Sequence, residues 1–184
     1  YHVFSMGKPG AEVTDHGVAL RLEDVPWASR QLWAPDAAEK DGKYYLYFPA
    51  KDKNDIFKIG VAVSDRPEGP FTAEPEPIKG TFSMDPAVFQ EGNEYFLLFG
   101  GIWGGQLQWY EDQKLIEGRK GPTDGIPAAD QKALMPYIAK LGTSMTELAE
   151  KPREIMILDE SGQPIKAGDN NRRFFEAAWM HKYN

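Results

Sequence analysis

Asp85 and Glu176 stand in similar company. Asp85 follows Met84 and precedes Pro86-Ala87; Glu176 follows Phe175 and precedes Ala177-Ala178. A carboxylic acid that must keep its proton near neutral pH needs apolar walls, a like charge within roughly 4–6 Å, or both. Met84, Phe175 and Trp179 would supply walls, and each acid would supply the charge for the other. Such an acid can donate a proton to a leaving oxygen, a glycosidic oxygen among them. Taken singly, each residue has a plainer reading: Asp85 as a turn cap before Pro86, Glu176 as a solvated charge at a strand end. The pair gains meaning from where the chain repeats itself, as shown below.

Aromatic residues point the same way. Trp33, Trp103, Trp109 and Trp179 fall near expected strand ends or in glycine-rich loops. The C–H face of a sugar packs on a flat ring, which suits Trp33, Trp103, Phe175 and Trp179 as a binding surface. Core filling is the competing use for most of these tryptophans. Trp33 is the exception, because it opens a repeated motif.

Other chemistries are excluded or unsupported. With no Cys in 184 residues, disulfides, thiolate nucleophiles and cysteine-based metal sites are ruled out. His2, His16 and His181 lack metal-ligand spacing, and no GxSxG elbow occurs. Gly100–Gly105 (GGIWGG) matches no phosphate-binding loop and reads as a turn where a ligand could approach the backbone. Asp52, Asn54 and Asp55 fail the calcium-loop pattern, since Phe57 stands where glycine is required. Arg119-Lys120 and Arg172-Arg173 are isolated basic pairs, and 28 acidic against 21 basic residues leave a net charge of −7. That balance argues against nucleic acid or an anionic membrane as partner. The longest apolar stretch, Tyr95 to Trp103, is too short to span a bilayer. Residues 1–10 lack the basic and apolar segments of a signal peptide.

The elements that position these residues are β-strands. Lys43–Ala50, Phe57–Ser64 and Glu94–Gly100 are rich in aromatic and β-branched residues. Asp41-Gly42 and Gly92-Asn93 supply hairpin turns. Trp33-Ala34-Pro35 with DGKYYLYF repeats at a shift of 51 residues as Met84-Asp85-Pro86 with GNEYFLLF (33 to 84). A partial third copy starts at Phe175, 91 residues after Met84 (84 to 175). A repeat of about 50 residues built from antiparallel strands is the mark of a β-propeller blade. Two aromatic hairpins in an ordinary sandwich would be the simpler account of the same pattern.

In a propeller, each motif is the innermost strand of a blade, and the strand starts crowd one end of the central channel. Asp85 and Glu176 would then meet there. One repeat before Trp33 falls ahead of Tyr1, so Tyr1–Met6 and Val13–Arg21 read as outer strands of a first blade. The expectation is about two and a half blades: 1–30, outer strands of the first; 31–80, the second; 81–111 and 155–171, the third; 172–184, the start of a fourth. Within 112–154 the spacing predicts a small helical insertion. Leu134, Ile138 and Leu141 fall at i, i+4 and i+7, and Ser144 with Glu147 resembles a capping box. Pro136 would kink the first helix or delay its start.

The motifs WAPD–DGKYYLYF, SMDPAVF and FFEAAWM, in this order, resemble glycoside hydrolase family 43, the five-bladed β-propeller enzymes that cleave xylose and arabinose linkages. VFSMGKPGAEVTDHG is also similar to that family's outer strands. The resemblance implies an all-β propeller and an inverting xylosidase or arabinofuranosidase, secreted or periplasmic, acting on pentose-containing oligosaccharides or polysaccharides. It implies Glu176 as general acid, Asp85 as the residue that orients it and modulates its pKa, and Trp33 in the sugar pocket. A structural calcium in the intact enzyme is a further implication, with no ligand nameable here. The family's general base would lie before Tyr1, so the 184 residues alone are expected to be close to inactive. A family member that only binds sugar, and a propeller used as an interaction scaffold, are the rival readings.

Overall fold

The computed structural model describes residues 1–183; Asn184, the end of the expected fourth-blade stretch, lies outside the described residues. β1 (His2–Ser5) and β2 (Thr14–Val18) form an antiparallel ribbon. β3 (Ala28–Arg30), β4 (Asp36–Lys40), β5 (Lys43–Asp52), β6 (Phe57–Ser64) and β7 (Thr72–Ala73) make one sheet, in which β3 and β4 pair with opposite ends of β5. A second sheet begins with β8 (Ala87–Glu91) and β9 (Glu94–Phe99). The small hairpin β10 (Tyr110–Glu111) and β11 (Lys114–Leu115) follows, and then β12 (Tyr137–Lys140) and β13 (Arg153–Glu154) complete the second sheet in the order β13-β12-β9-β8.

The two sheets are the same device. β4–β5 and β8–β9 are hairpins with two-residue turns, Lys40 pairing Lys43 and Glu91 pairing Glu94. Asp41 and Gly42 take φ 54° and 76°, as the predicted turn requires. The starts of β4 and β8 lie 51 residues apart (36 to 87), matching the sequence repeat. From β4 or β8 outward, each sheet adds one antiparallel neighbour at a time. Sheets of this repeated pattern are propeller blades.

β5 holds them together. Its side chains alternate with period two. Tyr45 and Tyr47 pack with Leu97, Phe99 and Ile102 of the second sheet and its exit loop. Leu46, Phe48 and Ala50 pack on the other side with Ala19, Leu20, Val25 and Phe71. Full burial of such apolar side chains contributes roughly 1.5–3 kcal/mol each. Polar links cross between the sheets too: the Tyr47 hydroxyl donates to Met145 O at 2.8 Å and the Tyr95 hydroxyl to Glu39 O at 2.9 Å.

The helical expectation fails. Among the described residues, 112–154 hold strands and turns, with no α-helix. Pro136 has no N–H and disfavours helix just before it, and residues 137–140 instead pair with the open edge of β9, Tyr137 facing Phe99. Ser144 does not cap a helix: its hydroxyl accepts the Thr146 N–H, and Met145 takes φ 64°. The outer strands of the second sheet therefore lie at 137–140 and 153–154, where 155–171 was expected to supply them. The third copy also differs. Glu176 makes one antiparallel bridge to Gly101 and starts no strand among the described residues.

Candidate active site

Chain segments carrying the two acids converge. The Ala177 N–H donates to Asp85 Oδ2 at 3.1 Å, 92 residues apart in sequence. Between the segments runs the loop 100–105. Gly100 N–H donates to Met84 O at 2.8 Å on one side, and Ile102 N–H donates to Phe175 O at 2.9 Å on the other. Asp85 is half-buried and Glu176 exposed. Burial holds the Asp85 carboxyl above its ordinary value, at about 6; the Ala177 N–H opposes the shift, and the Glu176 charge adds to it.

The backbone is strained at this point. Ser83, Asp85, Trp103 and Ala177 have φ of 66°, 55°, 55° and 59°. Left-handed non-glycine residues cost on the order of 1–3 kcal/mol each, and a cluster of them is characteristic of a functional site.

A hollow of about 230 Å³ opens beside Asp85, lined also by Pro35, Asp36, Ala177 and Trp179. Trp179 is 70% exposed and stacks on His181. The other candidate aromatics form a wall around the 100–105 loop. Trp103 meets Phe175 edge-on at 4.8 Å, and Trp33 packs on Phe57 at 4.9 Å. A Cβ on Gly104 would sit 3.7 Å from the Trp33 ring, so that glycine is where the wall closes. Trp33, Trp103 and Phe175 are each about two-fifths exposed, open enough to receive a ligand. Trp109 is a core residue, its indole N–H bonded to Gly121 O.

Three features escaped sequence reasoning. Asp36 lines the hollow, but its oxygens accept the N–H of Ala37 and, across the sheets, of Val88 at 2.7 Å. It is a tie between inner strands; the repeat aligns Asp85 with Ala34, so spacing gave no signal for it. The Arg173 guanidinium lies over the Trp103 ring at 5.6 Å, a cation–π contact. Ser83, within the SMDPAVF motif, is fully buried among loop main-chain groups.

No group of three or more His, Cys, Asp or Glu side chains among the described residues could hold a metal ion. Asp52 and Asp55 are occupied otherwise: Asp52 accepts the Asn54 and Ile56 N–H groups, and Asp55 pairs with Arg30 and Lys51. No helix of the described residues is long and apolar enough to cross a membrane.

Residues 13–132 match the model of the family described as Glycosyl hydrolases family 43. The Xylosidase/arabinosidase 43A of Humicola insolens is 60% identical over 194 residues, covering all of this chain and 58% of that relative. Two solved structures superpose over the whole chain. One is a GH43 beta-xylosidase/alpha-arabinofuranosidase from a compost microbial metagenome, in complex with xylotriose and in calcium-free form, with TM-score 0.96, 60% identity and 56% of that chain covered. The other is the GH43_1 enzyme from Xanthomonas citri complexed with xylotriose, with TM-score 0.94, 54% identity and 55% of that chain covered. The chain spans about half the length of the curated relatives it matches.

Proposed function

The chain belongs to glycosyl hydrolases family 43, and from that premise we propose that the protein is a glycosidase of xylose- or arabinose-containing chains, with β-xylosidase or α-L-arabinofuranosidase action. The observation that carries the proposal is the half-buried Asp85 carboxyl, held at about 6, hydrogen-bonded to the residue after Glu176 beside a hollow to which Trp179 also contributes. Xylotriose bound by two solved relatives supports a pentose chain as ligand.

In this reading Glu176, exposed and next in sequence to Ala177 of the hollow's lining, delivers its proton to the glycosidic oxygen as the bond to the anomeric carbon breaks. Asp85 orients the Glu176 segment through the Ala177 N–H. A water attacks the opposite face and inverts the anomeric centre, which requires a base roughly 6.5–9.5 Å from the acid. Asp36, the other carboxylate of the hollow, has both oxygens engaged by main-chain N–H groups. As the family resemblance implies, none of the described residues is assigned as the base. Trp33, Trp103, Phe175 and Trp179 offer ring faces and edges to the sugar.

We extend the proposal to a five-bladed whole and to a secreted or periplasmic setting. The acidic net charge supports a neutral sugar chain over nucleic acid or an anionic membrane as partner. A structural calcium in the intact enzyme is part of this proposal, with no ligand cluster for it among the described residues. Assay of the full-length protein on xylo- and arabino-oligosaccharides, beside its Glu176→Gln variant, tests the proposal. Turnover that depends on Glu176 supports it; equal rates in the two proteins overturn it.

A further inference from the structure

Ser83 has no exposed surface. Its Oγ accepts the Gly101 N–H at 2.9 Å and has one proton to give, with Gly105 O at 2.7 Å and Gly101 O at 3.1 Å within reach. Gly101 is also the residue whose backbone bridges Glu176. The hydroxyl therefore stands two residues from Asp85 and one bridge from Glu176. The next side chain reinforces the contact: a Cβ on Gly101 would lie 2.5 Å from Met84 Cε and 3.4 Å from Glu176 Cβ, and one on Gly105 2.7 Å from Met84 Cε. Ser83-Met84 is thus laid directly on the loop, and a Cβ at 101 or 105 would force the Met84 side chain to shift.

We propose that Ser83 is a positioning residue for proton delivery: its buried hydroxyl locks the 100–105 loop as a spacer that sets how the Asp85 and Glu176 segments face each other. The proposal rests on the reading of Glu176 as general acid. The hydroxyl touches neither substrate nor reacting atoms. It acts through Gly101, and its loss frees the spacer without changing the charges of the site.

Proton delivery matters most when the leaving oxygen is strongly basic. That dependence separates positioning of the acid from general loss of structure. The test compares Ser83→Gly and Ser83→Cys in the full-length protein on phenyl and 2,4-dinitrophenyl xylosides. Glycine accepts φ 66° without strain and removes the hydroxyl together with its Cβ; cysteine keeps the Cβ and about the volume with a weak hydrogen-bonding group. The expected result is a fall in kcat of roughly tenfold on the phenyl substrate, with the dinitrophenyl rate and both KM values little changed. Ser83→Gly added to Glu176→Gln should then cost nothing further on the phenyl substrate. Equal losses on both substrates, a full additional loss in the double variant, or an unchanged phenyl rate in Ser83→Gly would each overturn the proposal. If Glu176→Gln alone spares the phenyl substrate, the reading of the acid fails instead, which distinguishes the two failures.

Discussion

The Ala177 N–H lies 3.1 Å from Oδ2 of Asp85. This one bond joins the start of an inner strand to a segment 92 residues later, and it holds the neighbour of Glu176 against the second acid. Amide donation stabilises the carboxylate form of Asp85, yet burial prevails and the group stays near 6. The consequences for catalysis and stability can be measured.

Replacing the proton donor should hurt in proportion to the need for a proton. Glu176→Gln is expected to reduce kcat by roughly 10²–10⁴-fold on xylosides with poor leaving groups, and far less on activated aryl xylosides. Steady-state rates across a leaving-group series check this. A uniform loss would assign Glu176 to structure.

Asp85 gives a pH signature. Its folded value, about 6, exceeds the ordinary 3.8, so the folded state binds that proton more tightly than the unfolded chain. Its contribution to stability is complete below the ordinary value and is lost as pH rises through about 6. Asp85→Asn cannot ionise, so its stability relative to the parent should improve as pH goes from about 4 to 7. Denaturant melts at several pH values measure it, and a pH-independent difference would count against the buried carboxyl. In the activity profile, the same substitution should move the limb that reports the acid.

Trp33 packs on Phe57 and beside Gly104 while remaining 38% exposed. Trp33→Ala should raise KM for xylo-oligosaccharides several-fold, about 0.5–1.5 kcal/mol of lost ring contact, with a smaller change in kcat. Inhibition by xylose or direct titration with xylotriose would show the same loss. An unaltered KM would take Trp33 out of the sugar surface.

Tyr47 tests the joint between the sheets. Its hydroxyl is buried and donates to Met145 O at 2.8 Å. Tyr47→Phe leaves that carbonyl without its partner and should cost about 1–3 kcal/mol in equilibrium unfolding. Unchanged stability would mean that water or another donor replaces the bond.

Much of this could be read in one dimension. Alternation in KYYLYFPA, the Asp41-Gly42 turn and the 51-residue echo between Trp33 and Met84 are local or periodic signals, and they determined the strands, the hairpins and the blade pattern because each depends on near neighbours and turn geometry. The same repeat brought Asp85 and Glu176 forward as a pair. Tertiary structure alone decided the rest. Leu134, Ile138 and Leu141 carry helical spacing, yet 137–140 became a strand because β9 offered an unpaired edge and Pro136 opposed a helix. Asp36 and Ser83 carry no visible mark of their roles, since a hydrogen bond to Val88 or Gly101 exists only once distant segments are side by side. Periodicity reports which face of an element is buried; which groups meet across the interior is settled by packing between elements far apart in the chain.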